Sequence, residues 1–588
     1  MADAKLAASV VRMRQRRTGP LILELDLTEG IAEGPPADPL TALLTMRRTR
    51  LQDLLDGLRR AASDARVKAL VVKVGGSRAG LAKIQELRGA ISDFRTSGKL
   101  AVAWAESFGE FVHGNLPYYL ACGFDRIYLQ PSGTLGLTGV AVEQVFLHGA
   151  LEKLGIDFQS AKRYEYKSAA DPLTESGFTG PAREAAARLA QSVTEQLVAA
   201  VASGRGLPVE QVAGLLGRGP FLAQQALEEG LVDGLLYRDE VHDQVRKEAG
   251  HDATLLYLQR YQRTQSLGDL PKRLGAGARG ITPGQHERFV ATIYAQGPIR
   301  SGRSGRGGPG PGGAMGSDTV AAALRAAAAD EGARAVVLRV NSPGGSATAS
   351  DVIWREVVRL RAAGKPVVVS MGDVAASGGY FISAPADVIV TQPGTITGSI
   401  GVIMGKPVLA ALYERTGITT DTIADTAGAA GATMFSSSRP FSEAEWARIN
   451  EWLDAIYADF TEKVASGRRL PLDRVHELAR GRVWTGADAI ANGLADEAGG
   501  IREAVAIARR RGGLPADAPV RVYPRLGPLD QLRPAESSEA RPAARAALGA
   551  GTLSALFADG WGPAWRFAAA AGLPPYGPLT LPGTWTIS

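Results

Sequence analysis

Short runs of apolar residues alternate along the chain with longer segments in which apolar residues recur at helical spacing. The apolar runs stand at 19–26, 69–74, 100–104, 289–296, 335–340 and 366–371. The segments with helical periodicity stand at about 40–63, 80–95, 181–203, 317–330, 348–363 and 442–466. Apolar strands that alternate with helices are typical of βαβ units. The pattern therefore predicts an α/β fold with a largely parallel sheet covered by helices.

The same order of elements occurs twice, which indicates a duplicated domain rather than a solenoid of short units. Matched residues keep a constant offset of 262 over the most informative stretch: Tyr118 with Tyr380, Asp125 with Asp387, Gln130 with Gln392, Gly136 with Gly398 and Gly139 with Gly401. Further along, Ser203-Gly-Arg resembles Ser466-Gly-Arg, and Gly230-Leu resembles Gly493-Leu. Each copy is long enough to enclose its own hydrophobic core.

These matches define five predicted regions in the chain of 588 residues. They are a basic N-terminal segment (1–18), an N-terminal domain (19–250), a connector (251–286), a C-terminal domain (287–512) and a Pro/Ala-rich tail (513–588). The tail ends in an aromatic group, Trp561, Trp565, Phe567 and Trp585. We expect this group to dock on the domains, with contact to a membrane surface as the alternative.

Composition narrows the class of protein. Apolar residues make up 45% of the chain and charged residues 21%, as in ordinary globular proteins. The net charge of +6 is modest, and no Lys/Arg stripe is interleaved with aromatic residues, so we predict no nucleic-acid partner. Cys122 is the only cysteine, so an intrachain disulfide is impossible and the fold needs no oxidising compartment. We predict no metal and no cofactor.

The sequence as given shows neither a signal peptide nor an apolar stretch of about 18 residues, the length that a transmembrane helix needs. We therefore predict no transmembrane helix. The N-terminal segment is basic, with four arginines before residue 18. This charge favours the cytoplasmic face, with peripheral contact to anionic lipid.

Candidate chemistry begins at Ser377, which follows the apolar run at 366–371 in the glycine-rich segment Ala376-Ser-Gly-Gly-Tyr. A serine at a helix N-terminus lies beside unpaired backbone N–H groups that can bind an oxyanion. Asn341-Ser-Pro-Gly-Gly-Ser offers a second donor after the preceding strand. We predict Gly378, together with Gly344 or Gly345, as the oxyanion pair.

A serine hydroxyl needs a base, and lysine serves if burial leaves its amine neutral. No histidine lies between His286 and His476, and we expect His476 to be solvated on a surface helix, which disfavours a histidine triad. Only Lys406 and Lys463 follow Ser377. We expect Lys463 to be an exposed helix charge, whereas Lys406 remains a competitor for the role of base.

The repeat favours Lys167 instead, because each copy has lost a different part of the chemistry. The first copy has Asn115 where the second has Ser377. The second copy has Ala429 or Ala430 where the first has Lys167. This complementary loss predicts a serine–lysine pair assembled from the two copies.

Four motifs together resemble one known family: Val340-Asn-Ser-Pro-Gly-Gly-Ser, Gly372-Asp-Val-Ala-Ala-Ser-Gly-Gly-Tyr, Gly398-Ser-Ile-Gly-Val and Tyr166-Lys-Ser-Ala. They resemble signal peptide peptidase A in its long, duplicated form, over about residues 19–512. The resemblance implies two tandem ClpP/crotonase-like domains. It also implies Ser377 as nucleophile, Lys167 as general base and Ser399 as the serine that holds the lysine amine.

The same resemblance implies a bacterial serine endopeptidase that degrades cleaved signal peptides or other apolar peptides. It further implies a homotetramer that is membrane-associated or cytoplasmic. Long members commonly begin with a transmembrane anchor, and this sequence shows none. Two alternatives stay open: a crotonase-type acyl-CoA enzyme, which uses similar glycine-rich turns, and a catalytically silent scaffold paralogue.

Overall fold

The computed structural model describes residues 18–35, 49–75, 79–110, 112–262, 287–304, 314–423, 429–523, 579–580 and 586–587. They belong to two compact units. The first unit contains residues 1–141 and 193–286, and the second contains residues 142–192 and 287–587. The predicted basic segment before residue 18, the aromatic group of the tail and most of the connector lie outside the described residues.

The first unit contains a sheet of six parallel strands. Their order across the sheet is Gly234–Leu235, Arg126–Leu129, Leu100–Ala105, Val67–Lys73, Leu21–Asp26 and Thr254–Tyr257. The central strands are rich in Val, Leu and Ala because helices cover both faces of a parallel sheet. The predicted parallel α/β fold is confirmed for this unit.

Shorter strands and helices complete the first unit. The short strands are Ile31–Ala32, Thr49–Arg50, Thr134–Leu135 and Phe221–Leu222. The helices are Leu51–Ser63, Leu81–Thr96, Asn115–Ala121, Val209–Leu216, Ala223–Glu228 and Arg238–Ala249. The long helix Gly180–Arg205 belongs to the second unit up to Ser192 and to the first unit from Val193.

The second unit contains a sheet of eight strands that positions the candidate chemistry. Its main path runs through Val483–Thr485, Ile396–Gly398, Val367–Ala376, Ala333–Ser342, Phe289–Gln296 and Val520–Tyr523. Val388–Thr391 also pairs with Val367–Ala376, and Glu497–Ala498 lies beyond it. All these pairs are parallel except that between Ile396–Gly398 and Val483–Thr485.

The remaining elements of the second unit surround this sheet. The strands are Val142–Glu143, Asp157–Arg163, Ile299–Arg300, Met315–Gly316, Gly344–Gly345, Val402–Val408, Leu579–Thr580 and Thr586–Ile587. The helices are His148–Leu154, Asp171–Thr174, Ser317–Ala329, Ala347–Ala362, Gly378–Ser383, Ala410–Thr416, Ala429–Ala432, Glu443–Arg468, Leu472–Leu478, Gly486–Ala491 and Ile501–Arg511. Two tail strands pair antiparallel within this unit: Leu579–Thr580 with Gly344–Gly345, and Thr586–Ile587 with Val142–Glu143.

The two units repeat individual contacts as well as the order of elements. The buried hydroxyl of Tyr118 donates to the Leu231 carbonyl at 2.6 Å, and that of Tyr380 donates to the Leu494 carbonyl at 2.8 Å. Both tyrosines are fully buried. A buried hydroxyl needs such a partner, and its recurrence in the second unit supports the predicted duplication.

Three details differ from the sequence-based expectations. The strand predicted to end at residue 371 continues to Ala376. The predicted connector includes the strand Thr254–Tyr257, and the predicted tail includes Val520–Tyr523, each an edge strand of its unit's main sheet. Residues 142–192 lie within the second unit, although the repeat assigns them to the first copy. The two edge strands were not predicted because four residues are too few to show the alternation of apolar and polar residues that is typical of a strand.

Candidate active site

Ser377 lies at a sharp turn between a strand and a helix. The strand Val367–Ala376 ends immediately before it, and the helix Gly378–Ser383 begins immediately after it. Its backbone has φ 55° and ψ −115°, a strained conformation for any residue other than glycine. The Ser377 N–H donates to the Gly398 carbonyl at 2.8 Å, which holds the turn. The side chain is fully buried.

Lys167 follows the strand Asp157–Arg163, which pairs antiparallel with Val402–Val408 in the second unit. The chain then turns, with the Lys167 N–H donating to the Tyr164 carbonyl at 3.2 Å. The side chain of Lys167 is fully buried. Lys167 and Ser377 therefore belong to the same compact unit, although the two residues come from different copies of the repeat.

The Lys167 amine contacts three oxygen atoms at equal distance. Its Nζ lies 2.9 Å from Ser377 Oγ, 2.9 Å from Ser399 Oγ and 2.9 Å from the Ser399 carbonyl oxygen. A neutral amine has two N–H groups and one lone pair. When both N–H groups donate to the oxygens of Ser399, the lone pair faces Ser377 Oγ and can accept a hydrogen bond from its hydroxyl. The structure thus brings together the three residues that the sequence predicts.

Burial determines the charge of this amine. It lowers the pKa of Lys167 well below the ordinary value of 10.5, because the charged form loses its hydration. Within the described residues, no carboxylate forms an ion pair with the amine that would offset this effect. The neutral form, which can act as a base, is therefore favoured.

Ser399 holds its position through backbone contacts. It has φ 52°, a left-handed conformation, and its side chain is fully buried. Its N–H donates to the Arg482 carbonyl at 2.7 Å. The strand Ile396–Gly398 pairs with the end of Val367–Ala376, so that Ser399 follows a strand adjacent to the one that leads to Ser377.

The predicted oxyanion glycines lie side by side. A Cβ atom placed on Gly378 would lie 2.8 Å from Ser350 Oγ and 3.1 Å from both Gly344 Cα and the Gly345 nitrogen, so a side chain there would force these neighbours to shift. The Gly344 N–H donates to Ser342 Oγ at 3.2 Å. Gly378 is the first residue of its helix, where backbone N–H groups have no intrahelical acceptor.

The two other lysines considered as bases are engaged elsewhere. Lys406 is buried, but its amine donates to the carbonyls of Met434 and Ser436 at 2.8 Å each. Lys463 forms ion pairs with Asp351 and Asp459, and its side chain is only 16% exposed. The expectation of an exposed Lys463 is wrong, because its amine lies over the rings of Trp354 and Phe381 while it pairs with both carboxylates.

The candidate histidine lies apart from these residues. His476 is in the helix Leu472–Leu478, as predicted, but it is half-buried and its ring stacks on Tyr457. Its Nδ1 lies 3.4 Å from the Tyr457 hydroxyl. This contact accounts for His476 without a role near Ser377.

The corresponding place in the first unit lacks the same chemistry. Asn115 occupies the position of Ser377 and accepts a hydrogen bond from the Thr138 N–H at 3.0 Å. Leu137, fully buried, occupies the position of Ser399. The amide of Asn115 and the alkyl group of Leu137 supply no hydroxyl at these two positions. The side chains of Ala429 and Ala430, predicted to match Lys167, lie outside the described residues.

Two regions of the chain match a known protein family. Peptidase family S49 matches residues 94–252 and 359–514, two ranges that include Lys167 and Ser377 respectively. The chain belongs to peptidase family S49. The two matched regions fall in the two copies of the α/β repeat, and the protein is a serine-type peptidase.

Two named relatives cover most of this S49 peptidase, and a third covers part of it. Serine protease SPPA, chloroplastic, of Arabidopsis thaliana is 31% identical over 476 residues, which span 80% of this chain and 67% of the relative. Protease 4 of Salmonella typhi is 32% identical over 475 residues, 78% of this chain and 72% of the relative. Putative signal peptide peptidase SppA of Enterococcus faecium is 38% identical over 176 residues, 30% of this chain and 50% of the relative.

A helix that crosses a membrane must be both long and apolar. Among the described residues, no helix of this S49 peptidase combines the length and the apolar character needed to cross a bilayer.

Several contributors to the site act only through backbone atoms. Gly398 and Arg482 act through backbone carbonyls that accept from Ser377 and Ser399. Gly481 contacts the backbone of Lys167. A carbonyl is common to every residue, so only the fold could reveal these roles.

Proposed function

We propose that this S49 peptidase is an endopeptidase that uses Ser377 as nucleophile and Lys167 as general base. The observation that carries the proposal is the 2.9 Å contact between the buried Lys167 amine and Ser377 Oγ. Burial favours the neutral amine, which is the form that accepts a proton. Two hydrogen bonds to Ser399 orient the lone pair of that amine.

In the proposed reaction, Ser377 Oγ attacks the carbonyl carbon of the scissile peptide bond while its proton passes to Lys167 Nζ. The carbonyl oxygen becomes an oxyanion that accepts hydrogen bonds from the N–H groups of Gly378 and Gly344 or Gly345. The new ammonium and the oxyanion arise together, so each offsets the other's charge in the buried site. Lys167 then protonates the leaving amine, and an acyl-enzyme remains.

Water completes the cycle. The neutral Lys167 amine removes a proton from a water molecule as its oxygen attacks the acyl carbon. Collapse of the second tetrahedral intermediate breaks the ester bond, and the proton returns to Ser377 Oγ. Every proton transfer in this scheme uses the same nitrogen, which explains why one buried lysine can serve without a histidine.

The proposed substrates are apolar peptides, including cleaved signal peptides. One relative is named a putative signal peptide peptidase, which supports this class. We further propose a homotetramer and peripheral contact with membranes, both on the basis of the family resemblance. Light scattering of the purified protein tests the assembly, and sedimentation with anionic vesicles tests the contact.

Hydrolysis of fluorogenic apolar peptides tests the proposed reaction. We expect Ser377→Ala to lose about 10⁴-fold or more in kcat. The matched control is Ser383→Ala, which removes another fully buried serine from the same helix. The control should retain turnover, provided that it folds.

Three results would contradict the proposal. Equal turnover by wild type and Ser377→Ala would exclude this serine as the nucleophile. A folded wild-type protein that neither cleaves peptides nor reacts with a fluorophosphonate would favour the scaffold. Hydration or hydrolysis of an acyl-CoA thioester, without peptide cleavage, would favour the crotonase-type alternative.

A further inference from the structure

We propose that the turn at 479–482 positions the Lys167 amine, and that Gly481 is the residue through which it does so. The inference rests on the proposed function, because it assigns a positioning role to residues that do not touch the substrate. The turn closes with a hydrogen bond from the Arg482 N–H to the Ala479 carbonyl at 2.9 Å. It lies between the helix Leu472–Leu478 and the strand Val483–Thr485.

Gly481 lies directly against the backbone of Lys167. A Cβ atom at Gly481 would lie 2.5 Å from the Lys167 nitrogen, 2.5 Å from its Cβ and 2.6 Å from its Cα. These atoms are the base of the side chain, so they cannot rotate away as the end of a flexible chain would. Gly481 also has φ 86°, a conformation that favours glycine.

The same turn holds the segment that carries Ser399. The Gly481 N–H donates to the Ile400 carbonyl at 2.8 Å, and the Arg482 carbonyl accepts from the Ser399 N–H at 2.7 Å. Ser399 supplies both oxygens that accept from the Lys167 amine. A single turn therefore fixes the backbone at Lys167 and the acceptors at Ser399 relative to each other.

The residues that flank Gly481 bind the residues around Lys167. Arg480 pairs with Glu165 at 2.8 Å, and Arg482 pairs with Glu184 at 2.9 Å. The Tyr166 hydroxyl donates to Glu184 at 2.8 Å, and the Arg482 guanidinium lies 4.9 Å from the Tyr166 ring centroid. These contacts hold the turn against the lysine on both sides of the glycine contact.

Displacement of Lys167 by even a fraction of its side-chain length would separate Nζ from Ser377 Oγ. Misplacement of a reacting group by about 1 Å can cost on the order of 100-fold in rate. The substrate would still bind, because the turn forms no part of the proposed oxyanion site. The effect should therefore appear in kcat and leave KM nearly unchanged.

Gly481→Ala tests the inference, with Gly417→Ala as the matched control. Gly417 has φ 72° but has no atom within 4 Å of an added Cβ, so alanine there imposes similar backbone strain without a collision. We expect Gly481→Ala to reduce kcat by about tenfold or more and to alter the pH profile of kcat. Gly417→Ala should keep the wild-type kcat and the wild-type pH profile. Circular dichroism tests whether each variant is folded.

A second variant keeps the inference testable if Gly481→Ala does not fold. Arg482→Ala removes the pair with Glu184, whose side chain is 54% exposed, and should lower kcat several-fold without changing KM. Unchanged kcat in a folded Gly481→Ala protein would overturn the inference, as would an equal loss in Gly417→Ala. If Gly481→Ala does not fold, unchanged kcat in a folded Arg482→Ala protein would overturn it. If wild type itself has no peptidase activity, the proposed function fails instead.

Discussion

The charge of Lys167 makes the pH dependence of catalysis a direct prediction. A lysine whose pKa is lowered by burial is neutral above that lowered pKa and charged below it. Because only the neutral amine accepts the Ser377 proton, kcat/KM should rise about tenfold per pH unit below that pKa and level off above it. The substitution Lys167→Met replaces the amine with an apolar side chain of similar length, so the proposed base is lost.

The expected loss of kcat/KM follows from the usual contribution of a general base to the rate. Loss of a positioned base costs about 10²- to 10⁴-fold, or about 3–5 kcal/mol of barrier. Lys167→Met should therefore lower kcat/KM by at least about 10²-fold and abolish the tenfold rise with pH. The assay is hydrolysis of a fluorogenic apolar peptide at a series of pH values below 10.5, the ordinary pKa of a lysine side chain.

Lys406→Met is the matched control. Lys406 is a second buried lysine in the same unit, but its amine bonds to Met434 and Ser436 rather than to Ser377. A folded Lys406→Met protein should keep the pH-dependent rise. If Lys406→Met lost the rise and Lys167→Met kept it, the assignment of the base would be refuted and Lys406 would take the role.

Three further predictions concern the same site. Ser399→Ala should reduce kcat only about 2- to 12-fold, as expected for one neutral hydrogen bond, since the Ser399 carbonyl still holds the Lys167 amine; steady-state kinetics measure this. The unfolded chain binds one more proton than the folded chain between the lowered pKa of Lys167 and 10.5, so stability should rise with pH there. Relative to Lys167→Met, the free energy of unfolding should increase by about 1.4 kcal/mol per pH unit, measured by urea denaturation, and parallel curves would contradict it. Gly378→Ala keeps the backbone N–H but places a Cβ 3.1 Å from Gly344 Cα and from the Gly345 nitrogen, so it should displace the donors and lower kcat by at least about 100-fold; unchanged kcat would show that these glycines do not form a closely packed oxyanion site.

Much of the fold could be predicted because its strands are buried on both faces. Continuous apolar runs such as 289–296 predict strands with bounds that match Phe289–Gln296. The Ser377 turn could also be predicted, since a glycine-rich segment after a buried strand is a local signal. Local patterns thus carry both the α/β class and the position of the serine.

The burial and the contacts of Lys167 could not be predicted from the local sequence pattern. Its own surroundings in sequence resemble a polar surface turn, yet the residue is fully buried. Burial results from the pairing of Asp157–Arg163 with Val402–Val408, two strands more than 230 residues apart. The comparison of the two copies indicated the lysine, but it did not indicate that residues 142–192 join the second unit.

The turn at 479–482 could not be predicted for a related reason. Gly481 matters because its backbone touches Lys167, a contact between residues more than 300 positions apart. Nothing in Arg480-Gly-Arg distinguishes it from an ordinary loop. Contacts that depend on the absence of a side chain become visible only in three dimensions.

The most direct test of the Ser377–Lys167 pair is the site and rate of fluorophosphonate labelling, measured by intact mass and peptide mapping. We expect a single adduct on Ser377 in wild type, no adduct in Ser377→Ala, and labelling slowed by at least about 10²-fold in Lys167→Met. An adduct on another residue, or labelling of Lys167→Met at the wild-type rate, would contradict it.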